Sequence, residues 1–246
     1  MSPPRLGCVP YLNARPLLHG LDAELAVPSL LAGRFASGRY DAALLPVFET
    51  LRRPAPRIAD GFGICSQGPV RSVIVAHRQP LSATQEIVLD PASRTSANLL
   101  RLLASSCWKI PVALVTGSPD PLAARLLVGD PALDFQDRQD PGWMITDLGQ
   151  AWTTWTGLPF VFAVWTLAES APHGLPGALR SAASAGLASR AGIAAREPDP
   201  AAALDYLTRA VRYELGPPEK QAIETFRSLL SGIALLPPGP GPLEYV

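Results

Sequence analysis

Two stretches of this chain run from an apolar strand into short polar side chains and then open a helix. The first is Val9-Pro10-Tyr11-Leu12-Asn13-Ala14-Arg15-Pro16-Leu17, and the second is Asp90-Pro91-Ala92-Ser93-Arg94-Thr95-Ser96. The first N–H groups of a helix lack intrahelical partners and lie at the positive end of its dipole, so such corners attract anions. Two corners facing one crevice suit a small molecule with two negative groups. The candidates are Asn13, with Tyr11 beside it, and the cluster Ser93, Arg94, Thr95 and Ser96. Asn13 has two readings, an N-cap for its own helix or an amide that orients a ligand. Asp130, ahead of Pro131 at the end of an apolar run, is either a turn former or a site carboxylate. Ser66 and Ser72 flank a Gly68-Pro69 turn, and Phe160 opens a long apolar segment. Each of these three either lines the cleft or serves turn and core.

No metal site is expected. His19, His77 and His173, like Cys8, Cys65 and Cys107, are scattered without ligand spacing. Three widely separated cysteines also argue against a disulfide framework and for a reducing compartment.

The 21 basic and 21 acidic side chains cancel, so neither net charge nor a basic cluster points to nucleic acid. The longest apolar segment, near Leu158 to Ala168, is well short of the ~20 residues a membrane span needs. No apolar leader stretch precedes the first strand. The expectation is a cytoplasmic protein with a small-molecule partner. A chain of 246 residues can bury a sizeable core in one large or two modest domains.

Strands and helices alternate. Strands are expected at Arg5–Tyr11, Leu25–Pro28, Asp41–Pro46, Val70–Ala76, Ile87–Leu89, Val112–Val115, Leu126–Val128 and Leu158–Leu167. Helices are expected at Ala14–Leu21, Ser29–Ser37 (with Ser29 as N-cap), Ser96–Ser105, Pro121–Arg125 and Asp147–Thr156. From Gly174 onward the chain reads as helical at Leu175–Arg190, Pro200–Glu214 and Pro218–Leu230, before an irregular Pro/Gly tail. This order implies α/β architecture with parallel sheets and a ligand at the strand carboxyl ends. The expected division is a discontinuous first lobe, 1–80 plus 168–246, and an inserted second lobe, 81–167, with the ligand between them.

The corner Tyr11-Leu12-Asn13-Ala14-Arg15-Pro16-Leu17 resembles the opening signature of the MqnA family, the chorismate dehydratases of the futalosine route to menaquinone. The resemblance continues in order through Gly68-Pro69-Val70-Arg71-Ser72-Val73, Ser93-Arg94-Thr95-Ser96, Gly129-Asp130-Pro131-Ala132-Leu133, Asp147-Leu148-Gly149, Trp152 and Thr156-Gly157-Leu158-Pro159-Phe160-Val161-Phe162-Ala163. It covers residues 5 to 168. It implies a two-lobed fold like the type 2 periplasmic binding proteins. It also implies a carbon–oxygen lyase that removes water from chorismate to give 3-(1-carboxyvinyloxy)benzoate, without metal or organic cofactor.

On that reading Asn13 and Asp130 are the catalytic candidates, and Tyr11, Ser66, Ser72, Ser93, Arg94, Thr95, Ser96 and Phe160 bind substrate. The proton acceptor is either Asp130 or the substrate's own enolpyruvyl carboxylate. Two other readings stand beside it: a non-catalytic binding or sensor protein for an aromatic dicarboxylate, and the sister enzyme that forms 1,4-dihydroxy-6-naphthoate.

Overall fold

Leu6-Gly7-Cys8 and Ala42-Ala43-Leu44-Leu45-Pro46 carry no charged residue, and a strand that is apolar on both faces must be covered on both. The computed structural model describes residues 3–90, 93–117, 120, 122–138, 141–237 and 241–246. In it these two runs become β1 (Leu6–Cys8) and β3 (Ala42–Pro46), paired in parallel at the centre of a seven-stranded sheet. A 3-10 helix over Leu12–Leu18 follows β1. The edge strand β2 (Glu24–Leu25) leads to α1 (Pro28–Ala36), which starts at Pro28 with Val27 as its N-cap, so Ser29 is inside the helix rather than capping it. After β3 come α2 (Val47–Leu51) and the long β4 (Arg57–Ser66).

The chain then enters a second sheet of five strands: β5 (Val73–His77), β6 (Glu86–Val88), β7 (Ala113–Val115), β8 (Arg125–Val128) and β9 (Met144–Asp147), in the order β7-β6-β8-β5-β9. Its helices are α3 (Arg94–Leu102), which runs on as a π-helical turn over Leu103–Trp108, and α4 (Asp130–Asp137). The next helix, α5 (Leu148–Thr156), leads back to β10 (Phe160–Leu167) in the first sheet. The rest is α6 (Leu175–Ala188), α7 (Arg190–Ala194), α8 (Pro200–Asp205) with a π-helical turn over Tyr206–Ala210, β11 (Arg212–Leu215), α9 (Pro217–Gly232) and β12 (Glu244–Tyr245). The first sheet reads β11-β4-β10-β3-β1-β2, with β12 alongside β4.

Several expectations are corrected. Both sheets are mixed: β10 is antiparallel to β3 and β4, and β5 is antiparallel to β8 and β9. The lobe boundaries expected at 80/81 and 167/168 are each about one strand late. β5 is hydrogen-bonded into the second sheet and β10 into the first, so the chain crosses within 67–72 and 148–159. Residues 122–124 are not helical, and the expected helix Pro200–Glu214 gives way to β11 from Arg212. Beyond the tail, of which residues 238–240 lie outside the described residues, Glu244 and Tyr245 pair with β4.

The two crossings are stitched together. The Asp147 carboxylate accepts from Val70 N (3.1 Å), Arg71 N (2.7 Å) and Gln150 N (3.0 Å), so one side chain caps α5 and fixes the outgoing strand. Gly68 N donates to Thr153 Oγ1 at 3.0 Å. A Cβ on Gly149 would lie 2.6 Å from Ser66 Oγ and 2.9 Å from Gly68 O, so only glycine allows this approach. Trp152, fully buried, packs edge-on against Phe160 and Phe226 and donates Nε1–H to Pro159 O at 3.0 Å, tying α5, β10 and α9 into one core.

Candidate active site

Between the two sheets lies a cavity of about 70 Å³. Apolar residues make most of its wall, among them Leu44, Pro46, Ile64, Val128 and Phe162. Its polar lining is Tyr11, Asn13, Ser72, Ser93, Thr95 and Ser96. Both sequence corners therefore open into one hollow, as the two-anion argument requires.

The corners differ in what they offer. At α3, the Ala97 N–H is bonded to Ser93 O (3.0 Å), so the N–H groups of Arg94, Thr95 and Ser96 precede the helical ladder. Ser93 makes no side-chain cap and is among the residues lining the cavity. Thr95 Oγ1 accepts from Phe48 N at 3.0 Å, so α2 of the first lobe is tied to α3 of the second. The other corner is the 3-10 helix, and its Leu12 N–H is taken up by Asp130 Oδ1 at 3.2 Å. There the residue facing the cavity is Asn13. It is about nine-tenths buried, its Nδ2 donates to the Tyr206 hydroxyl at 3.0 Å, and its Oδ1 is buried without a partner. Asn13 makes no side-chain cap to its own helix, so the capping reading falls away.

Four of the sequence candidates lie outside the cavity. Arg94 pairs with Glu49 across the lobes (3.2 Å) at the rim, with its side chain half exposed. Ser66 is buried at the crossing, with its hydroxyl bonded to Gly68 O at 3.2 Å. Phe160 belongs to the Trp152 and Phe226 cluster, and the cavity wall is made instead by the next residues along β10, Phe162 and Ala163. Asp130, at the start of α4, lines a separate groove with Arg71, Asp134 and Glu197. Partial burial raises the Asp130 carboxyl, against the Leu12 N–H bond and the Arg15 charge, which lower it.

Tyr11 does line the cavity, and its ring rests on Gly129, where a Cβ would come within 2.9 Å. Burial, with the charges of Asp90 and Asp130, raises its phenol, so Tyr11 is neutral. Tyr206, the partner of the Asn13 amide, sits in an Ala-rich segment that reads as plain helix, so nothing in the sequence signals this contact. Among the described residues no group of three or more His, Cys, Asp or Glu side chains could hold a metal ion, and no helix is long and apolar enough to cross a membrane.

The sequence profile described as menaquinone biosynthesis matches residues 4–231. The chain belongs to that family. Within reach of this family member are two proteins named chorismate dehydratase. One, from Thermus thermophilus, is 29% identical over 261 residues, covering 94% of this chain and 96% of the relative. The other, from Campylobacter jejuni, is 31% identical over 157 residues, covering 62% and 58%. Among solved structures, a Candida albicans protein described as exhibiting the generic periplasmic binding protein fold matches with a TM-score of 0.62 at 12% identity, over 96% of this chain and 91% of that one. The menaquinone-biosynthesis family member thus has a periplasmic-binding-protein-like fold with two α/β lobes, and its cavity occupies the interlobe cleft.

Proposed function

We propose that this chain is a chorismate dehydratase, a hydro-lyase that converts chorismate to 3-(1-carboxyvinyloxy)benzoate and water. Family membership and the two named relatives support the reaction class. The observation that carries it to this site is the cavity itself, where Asn13 from one lobe faces the hydroxyl-lined start of α3 from the other. Residues 3–66 with 160–246 serve as the first lobe and 67–159 as the second. The enzyme works beside its substrate in the cytoplasm.

The reaction breaks a C–H bond at the ring carbon bearing the ether and the C–O bond of the neighbouring hydroxyl. The electron pair from the C–H bond enters the ring, hydroxide leaves, and it departs with the proton as water. Negative charge develops on the ring carboxylate, which is conjugated with the reacting carbon, and aromaticity drives the step forward. The hydroxyls of Ser93, Thr95 and Ser96 and the first N–H groups of α3 are preorganised donors for that charge. A helix terminus contributes ~0.3–1 kcal/mol, or up to ~2 in a partly buried site. The apolar wall excludes water and so strengthens each of these bonds. Asn13 engages the departing hydroxyl.

The described lining contains no carboxylate, imidazole, amine or guanidinium. Asp130 stands in another groove, so the proton acceptor that fits best is the substrate's own enolpyruvyl carboxylate. Incubating purified protein with chorismate should give a product one water lighter with benzoate absorbance, and Asn13→Ala should lose turnover while remaining folded. Chorismate bound but recovered unchanged by the wild type would refute the dehydratase and leave a binding protein.

A further inference from the structure

Tyr206 is fully buried behind the cavity, on the π-helical turn that follows α8. Such turns interrupt the regular ladder and recur at functional positions. Its hydroxyl receives Asn13 Nδ2–H at 3.0 Å. Asn13 lines the cavity, whereas Tyr206 does not. The phenol therefore holds a lining residue from behind. An amide has one donor end and one acceptor end, so with Nδ2 engaged by Tyr206 the end left over is Oδ1.

The orphaned Oδ1 supports this polarity. A buried acceptor without a partner costs on the order of 1–3 kcal/mol, which a folded protein tolerates where a ligand will satisfy it. An amide free to rotate would present its NH2 end about as readily. Chorismate, unlike its product, carries a ring hydroxyl that can donate to Oδ1.

We propose that Tyr206 is a positioning residue that grips Asn13 by its Nδ2 and so presents Oδ1 to the cavity as the acceptor for the substrate's hydroxyl. This rests on the dehydratase reading, and it predicts a split that simple loss of packing would not produce. Tyr206→Phe keeps the ring and removes only the hydroxyl. Its kcat/KM for chorismate should fall at least about tenfold, roughly the loss of one hydrogen bond. Its Kd for 3-(1-carboxyvinyloxy)benzoate, which has no ring hydroxyl, should stay within about threefold of wild type.

The second measurement needs no turnover. In 15N-labelled protein, the Asn13 side-chain NH2 signal, assigned by its disappearance in Asn13→Asp, should show one slowly exchanging proton in wild type and none in Tyr206→Phe. Equal losses in product affinity and kcat/KM, or an Asn13 NH2 signal unmoved by Tyr206→Phe, would overturn the proposal. If wild-type protein leaves chorismate unchanged, the dehydratase reading fails, and the NH2 exchange alone still decides whether Tyr206 holds the amide.

Discussion

Gly186 lies in α6 directly over the backbone of Pro16, three residues beyond Asn13 on the 3-10 helix. A Cβ there would run into the Pro16 carbonyl group, with the carbonyl carbon at 2.7 Å and His19 Cβ at 2.8 Å. Carbon pairs settle at ~3.5–4.0 Å, so Gly186→Ala forces roughly 1 Å of separation between the two helices. The obstruction is mainly backbone, so no rotamer change can relieve it. Overpacking of this kind costs ~1–3 kcal/mol, and alanine in a helix returns only ~0.5–1. The expected net loss is about 1 kcal/mol. Displacement matters more to function than to stability, because a misplacement near 1 Å can cost ~10²-fold in rate. Gly177→Ala, in the same helix with nothing within 4 Å of the new methyl, is the control and should stabilise by ~0.5–1 kcal/mol. Urea denaturation and chorismate turnover on both variants check this. If Gly186→Ala matched Gly177→Ala in midpoint and kept turnover within twofold of wild type, the tight contact of α6 would not be what positions Asn13.

Gly129→Ala should also be costly: its φ of +73° and ψ of −146° strain any L side chain by ~1–3 kcal/mol, and the methyl would press on the Tyr11 ring, so thermal melting should show a Tm several degrees lower. Asp130→Asn should retain turnover within about tenfold, since the carboxylate is outside the cavity. Its effect on stability depends on pH. Burial raises the Asp130 carboxyl in the folded protein, so its contribution is fully present below the unfolded carboxylate pKa and is lost as pH rises through the folded one. The variant should melt higher than wild type at neutral pH, with the gap closing in acid; a gap that widens in acid would show that the Leu12 bond outweighs burial. Burial pushes the Cys8 and Cys65 thiols far up, whereas Cys107 is only partly covered. A thiol reagent should therefore titrate one cysteine in native protein and three after denaturation.

The strands legible in the sequence were those whose burial is complete. β1, β3, β5 and β10 are continuous apolar runs, and each was anticipated to within a few residues. β4 was hidden because Asp60, Gly61 and Gly63 break its pattern, although Gly63 is needed where a Cβ would sit 3.0 Å from Ala163 O on β10. β11 alternates exposed and buried along Arg212-Tyr213-Glu214-Leu215, a strand period masked by the Ala-rich helix before it. The lobe boundaries were placed late for a related reason. A crossing is fixed by which strand pairs with which, and pairing is long-range, whereas the turn at Gly68-Pro69 was visible locally.

The same distinction explains the candidate site. Residues placed by backbone position, at the start of α3 and after β1, are those that type and spacing single out and that line the cavity. Ser66, Arg94, Phe160 and Asp130 share the motifs but sit at the crossing, at the rim, in the core and on the Leu12 N–H between the lobes. Motif membership marked a segment as constrained without saying by what. Asp147-Leu148-Gly149 makes the point, since its carboxylate and its bare Cα both hold the crossing together and neither lines the cavity. In a two-lobed protein the crossing and the Leu12–Asp130 contact must be specified as tightly as the cavity lining, because they set Asn13 of one lobe opposite the α3 terminus of the other. The described wall holds no carboxylate, imidazole or amine, and its one titratable group, the Tyr11 phenol, is raised by burial. A cavity of that kind acts by orienting what it holds, which places the demand on the elements that fix its shape.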